Sequence, residues 1–179
     1  MKTRGQFLRT MQNRIAETAV GPSALRNQGA PGVVGVARRF FKKMDLGMFA
    51  VAKEKRFVQR LDVATEHLRR RFPRGARNWG AARKALNLFL RDALYNTFLS
   101  QHYHLPRLER WLEIPLDRDV ATGLHSDWHG ERLPKWIGFK NLKPEVSKIY
   151  QQAAKLVAKN QHIERVHLDL IYWRRKAGK

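Results

Sequence analysis

Residues 81–99 read AARKALNLFLRDALYNTFL. Leu86, Phe89, Leu90, Ala93 and Leu94 recur at three- and four-residue steps, the spacing of one helix face. The stretch predicts a strong helix with those five residues in the core. The same period extends on both sides of it. Over Arg4–Ala19, Phe7, Leu8, Met11 and Ile15 form one stripe, and Gly21-Pro22-Ser23 stops the helix, with Ser23 placed to cap a short next one. From Val33 to Met44, Val33, Val36, Ala37, Phe40, Phe41 and Met44 make an apolar face. Phe57, Leu61, Ala64 and Leu68 do the same for a helix over roughly 51–71.

Beyond residue 99 a short helix is expected near Leu105–Leu112. Asp117 or Asp119 is placed to cap another after Pro115. His125–Pro134 reads as a polar loop. Lys143-Pro144-Glu145 opens a helix to about Lys159, with Val146, Ile149, Ala153, Leu156 and Val157 inward. The segment 163–173 reads two ways. Val166, Leu168 and Leu170 alternate as in a strand, while Ile163, Val166, Leu170 and Arg174 suit a helix. With no clear partner strand, helix is predicted. The fold expected is all-α: a single compact bundle of about seven to nine helices over 1–179, with 1–30 as a candidate peripheral arm.

The chain has 179 residues, 36 Lys and Arg against 15 Asp and Glu, and a formal net charge of +21. With 43% apolar residues it can bury a core and is no basic tail. It has no cysteine, which excludes disulfides, iron–sulfur clusters and cysteine zinc sites. No apolar run approaches the ~18 residues of a membrane span, and the basic N-terminus lacks a signal-peptide apolar region. A soluble intracellular protein is the default, cytoplasmic or nucleoid-associated in a bacterium. Charge of this size points to nucleic acid, an anionic membrane surface or an acidic partner, and nucleic acid is the partner expected. Residues 1–110 carry 23 basic and 7 acidic side chains, and residues 111–179 carry 13 and 8. The positive field therefore comes mainly from the first part of the chain.

Two basic groups stand out. Arg69, Arg70, Arg71, Arg74 and Arg77 span a helix end and the loop PRGARNWG at 73–80, with Arg83 and Lys84 just beyond. A loop lets several guanidinium groups converge on phosphates, and a helix N-terminus behind it adds N–H donors. Trp79 in the same loop is a candidate to stack on a base or wedge into a duplex. Arg38, Arg39, Lys42 and Lys43 form a second stripe at i, i+4 spacing.

The segments GAARKALN at 80–87 and PLDRDV at 115–120 resemble parts of the helix-hairpin-helix base-excision DNA glycosylases. That family carries G-x-G-R-K-T-A-N running into a helix, and later V-D-T-H-V with a catalytic Asp. The matches are Gly80, Arg83, Lys84 and Asn87, then Asp117 and Val120. Ala82 stands in place of the second hairpin glycine and Asp119 in place of the usual His. The resemblance implies an all-α enzyme that cleaves the N-glycosidic bond of a flipped base. Asp117 takes the place of the carboxylate that stabilises the oxocarbenium ion or activates water. Lys84 takes the place of the lysine that attacks the sugar in bifunctional members.

Other readings remain open. A non-enzymatic binder needs only the basic face. Arg118-Asp119 followed after five residues by His125 is similar to the signature of HEPN ribonucleases, Arg and a polar residue followed after three to five residues by His. His125 with His129, and His102 with His104, are sparse as metal ligands, so no metal is expected. No Walker loop, nucleophile elbow or dinucleotide fingerprint is present, and no cofactor is expected.

Overall fold

The computed structural model describes residues 3–173. Arg174, named above for the last segment, lies outside them. The described chain is an all-α bundle. Its α-helices are α1 (Arg4–Thr18), α2 (Val33–Lys42), α3 (Glu54–Arg71), α4 (Trp79–Tyr95), α5 (Thr97–His102), α6 (Arg118–Asp127), α7 (Pro144–Asn160) and α8 (Leu168–Tyr172). Short 3-10 helices fill Leu46–Phe49, Arg74–Ala76, Leu105–Trp111, Phe139–Asn141 and Arg165–His167. Among the described residues no helix is long and apolar enough to cross a membrane.

Local chemistry explains several boundaries. Thr3 and Gln6 form a reciprocal capping box at the start of α1. The run expected as one helix to Leu99 breaks at Asn96, whose Oδ1 accepts from Leu99 N at 3.0 Å and so caps α5. Ser23 caps nothing, because residues 22–27 form turns. His125 belongs to α6, which runs on to Asp127, so the polar loop starts at Trp128 rather than at His125.

Helix α4 is the hub. It packs against α1, α2, α3, α5 and the Phe139–Asn141 turn. Gly80 to Leu90 are all buried, so α4 has no solvent face along that length. A helix buried all round fits the axis of a bundle. Leu86, Phe89, Leu90, Ala93 and Leu94 are in the core as predicted. The Phe41 and Phe89 rings stack at 4.5 Å with 4° between planes, tying α2 to α4. Such a pair adds about 0.5–1.5 kcal/mol beyond its area burial.

Two apolar clusters form. The first joins α1 to α5 and the stretch to Leu112, with Val166 added from the far end of the chain. The second gathers Ile114, Leu116, α6, α7 and α8. Arg165 crosses between them, donating to the carbonyls of Leu112 at 2.9 Å and Trp111 at 2.7 Å. The first helix is built into the first cluster through Leu8 and Ala16, and Gln12 donates to the carbonyls of Phe41 and Met44.

Helix α7 departs from expectation. Ile149 and Leu156 point outward, 47% and 40% exposed. The buried stripe is Tyr150, Ala153, Ala154, Val157 and Ala158. Small residues let α7 approach its neighbours closely, and Tyr150 fills the remaining gap.

Candidate nucleic-acid interface and the Lys84–Asp117 pair

The C-terminal end of α3 delivers three consecutive arginines that leave in different directions. Arg69 and Arg70 fold back onto Glu66, at 2.7 and 2.8 Å. Their hydrogen bonds hold the Glu66 carboxyl at about 2, well below the usual carboxylate value. Arg71 turns the other way and sets its guanidinium 5.0 Å from the Phe40 ring centroid on α2. That contact brings the two basic stretches seen in the sequence side by side.

The loop after α3 is shaped from within. Arg77 Nε donates to Phe72 O at 3.1 Å, and Arg69 donates to Arg77 O at 3.3 Å. The 27–32 loop lies against it. Gly29 has φ +94, and a Cβ there would sit 2.4 Å from Gly75 O, so only glycine allows the approach. Asn78 Nδ2 reaches Gln28 O at 3.1 Å. Lys140 Nζ, from the turn between α6 and α7, closes on the same point. Three loops therefore meet beside Arg74 and Arg77, both exposed.

The expected binding residues separate into two groups. Arg39, Lys43, Arg70, Arg71, Arg74 and Arg77 are exposed. Arg38 and Lys42 are half-buried and pair with Glu17 on α1, and Arg38 also donates to Val20 O at 3.1 Å. They fasten α2 to α1, so only alternate members of that stripe point out.

Arg83 and Trp79 correct the sequence expectation more strongly. Arg83 is 5% exposed and bridges Asp62 on α3 to Glu113, with a further bond to Thr65 Oγ1 at 2.8 Å. No phosphate reaches a guanidinium so enclosed. Trp79 is half-buried, packed on the second cluster with the Arg83 guanidinium 5.0 Å from its ring centroid. The N-terminus of α4 is closed as well. A Cβ on Gly80 would lie 2.1 Å from Phe139 O and 2.7 Å from Leu142 Cβ. Gly80 is thus a packing glycine that admits the 139–142 turn.

Lys84 and Asp117, 33 positions apart, do meet. Lys84 Nζ lies 3.1 Å from Asp117 Oδ2 and 4.6 Å from the Phe139 ring centroid. Asp117 Oδ1 accepts from Val120 N at 3.0 Å, which makes it the N-cap of α6. Both carboxylate oxygens are engaged. Lys84 is 6% exposed, while the Asp117 side chain is 28% exposed. Asn87, one turn further along α4, donates to Glu113 at 3.1 Å, and its buried Oδ1 has no partner.

The remaining candidates are separate from this pair. His125 Nε2 contacts Tyr150 Oη at 3.0 Å, and that hydroxyl donates to Pro134 O at 2.6 Å. The hydroxyl proton is thereby spent on the carbonyl, so the imidazole is the donor in the first bond. Arg118 is exposed at the start of α6. Sequence reasoning passed over a hydrogen-bonded chain in which Tyr95 Oη meets His167 Nδ1 at 2.8 Å and His167 Nε2 meets Glu109 at 2.5 Å. Its members lie on three elements, and no local spacing announces it. No protein-family model, curated protein or solved structure matches the chain.

Proposed function

We propose that the protein is a nucleic-acid-binding module that holds the phosphate backbone of double-stranded DNA on the face made by α2, the end of α3 and the 73–78 loop. The observation that carries this reading is the segregation of charge. Glu17, Asp62, Glu66, Asp92, Glu113, Asp117 and Asp169 each hold a cation within the fold. On this face Glu17 and Glu66 offset part of the charge, while among the described residues the exposed Arg39, Lys43, Arg71, Arg74 and Arg77 hold no carboxylate, and Arg71 on Phe40 joins the two halves. Arg74 and Arg77 flank a loop anchored by its own backbone contacts, which reduces the ordering cost of binding.

The test is fluorescence anisotropy on a labelled DNA duplex across a salt series. Affinity is expected to fall steeply with salt, with a log–log slope near −0.9 per phosphate engaged. Arg74→Ala with Arg77→Ala should weaken binding and flatten that slope by about 2. A slope left unchanged by the double substitution would remove these residues from the interface.

A second reading, base excision, is favoured by one observation: the two residues singled out by the glycosylase resemblance, Lys84 and Asp117, come together at 3.1 Å. Under this reading Asp117 stabilises the sugar cation, and Lys84 must first leave its ion pair to attack. Asp117→Asn keeps a side chain able to cap α6 and removes the charge. Loss of alkali-revealed cleavage in this variant, on duplexes carrying a panel of lesions, would establish the enzyme. Binding without cleavage by the unaltered protein would leave the module.

A further inference from the structure

The 3-10 helix Leu105–Trp111 runs for seven residues, where stretches beyond three or four are uncommon. With three residues per turn, side chains three apart stand in line. One line, Leu105, Leu108 and Trp111, is buried. The neighbouring line is Arg107 and Arg110, continued by His104 at the cap position, and all three are exposed. Successive members are about 6 Å apart along the axis. Arg110 lays its guanidinium 4.9 Å from the Trp111 ring centroid. That contact restricts where the guanidinium can swing, and a guanidinium presents N–H donors in a fork that suits a planar or tetrahedral anion. Among the described residues neither arginine has a carboxylate partner. Like charges one turn apart repel, and an anion placed between them removes the repulsion.

This line opens on a cleft of about 670 Å³, which the apolar stretch 50–52 and the side chains of Glu109 and Glu164 also line. The volume falls in the range of small-molecule sites, roughly 300–1,000 Å³. The two carboxylates decide the class of ligand. They repel a second anionic group, which disfavours di- and triphosphates. They accept hydrogen bonds, which suits vicinal hydroxyls. One oxygen of Glu109 is already held by His167, so Glu164 is the freer acceptor.

We infer that this cleft binds a nucleoside monophosphate unit, with its phosphate between Arg107 and Arg110, its sugar hydroxyls toward Glu164 and its base against residues 50–52. The unit can be a free nucleotide or the phosphorylated end of a strand. The site shares no residue with the basic face and does not depend on it.

Calorimetric titration of the full chain with adenosine 5′-monophosphate tests the inference. Saturable binding is expected, with adenosine and adenosine triphosphate each weaker by about tenfold or more, since either loses a charge-assisted bidentate contact or gains repulsion. Arg107→Ala with Arg110→Ala should abolish it, and Arg107→Lys with Arg110→Lys should not restore it, because ammonium groups lack the fork. Arg74→Ala with Arg77→Ala should leave it unchanged. Both arginines are exposed and hold no ion pair, so the variants should stay folded, with thermal unfolding lowered only slightly by loss of the Arg110 contact to Trp111. Competition by a 5′-phosphorylated oligonucleotide but not its 5′-hydroxyl form would identify a strand end as the source, and failure of both to compete would identify the free nucleotide. Absence of saturable binding, equal affinity in the double alanine variant, or affinity that rises with phosphate number would overturn the proposal.

Discussion

Glu66 is one carboxylate under two guanidinium groups, and its folded-state value of about 2 lies below the ordinary 4.5. A depressed carboxylate contributes stability above its unfolded value and loses it as pH falls toward the folded one. The Glu66 contribution is therefore complete above about pH 4.5 and drains away toward pH 2. Glu66→Gln should flatten acid unfolding in that window, read by circular dichroism. It should also free Arg69 and Arg70 and tighten duplex binding in the anisotropy assay. Lys84 and Asp117 give an asymmetric case. Asp117→Ala leaves a buried ammonium unpaired and uncaps α6, so it should cost about 3–5 kcal/mol. Lys84→Met leaves a carboxylate that is part-exposed and still capping, and should cost distinctly less. Urea unfolding of the two variants gives the comparison. A cap after Pro115 was legible as Asp117 or Asp119, and the fold selects Asp117; its pairing with Lys84 was not legible, since the glycosylase resemblance singled out both residues without joining them. The burial of Arg83 was not legible. An arginine among arginines reads as surface, and only the positions of Asp62 and Glu113 in the folded chain show otherwise.

At the scale of elements, periodicity located the helices well because each buries at least one regular stripe. It failed where a helix offers two stripes. In α7 the larger residues Ile149 and Leu156 suggested the inward face, yet the stripe of Tyr150, Ala154 and Val157 went inside. Hydrophobicity ranks residues one at a time, while packing selects the face whose shape fits the neighbours. Ile149→Lys should consequently change stability by less than about 0.5 kcal/mol, as exposed substitutions do. Tyr150→Ala should cost about 3–5 kcal/mol, as loss of a buried aromatic does. Denaturant midpoints distinguish them, and a large cost at Ile149 would return it to the core. The helix expected near Leu105–Leu112 is present, but its 3-10 winding was missed for a related reason. Its three-residue rows are invisible to a reading tuned to 3.6, although Leu105, Leu108 and Trp111 carried the signal.

At the scale of the whole molecule, the excess charge was plain in the composition, but its placement depends on which acidic residues turn inward. Nearly every ion pair seen here spends a carboxylate on a structural bond. The outward field is thus a property of the folded state and not of the sequence alone. A polyanion should bind the unfolded chain with less regional preference. Native binding should concentrate on the α2–α3 face, and protection of Arg70, Arg71, Arg74 and Arg77 from guanidine-modifying reagents by duplex DNA should exceed that of Arg118.

Helix α4, enclosed from Gly80 to Leu90, has one more consequence. Its polar side chains Arg83, Lys84 and Asn87, with Arg91 a turn beyond, reach carboxylates on α3, on the 113–117 stretch and on α8. Whichever of these neighbours peels away, at least one of those bonds to α4 is broken. Deuterium uptake by the amides of α4 should then require opening of the entire bundle, giving them the slowest and most uniform exchange in the chain. The exposed helix α5 and the loops around residue 30 should take up label first.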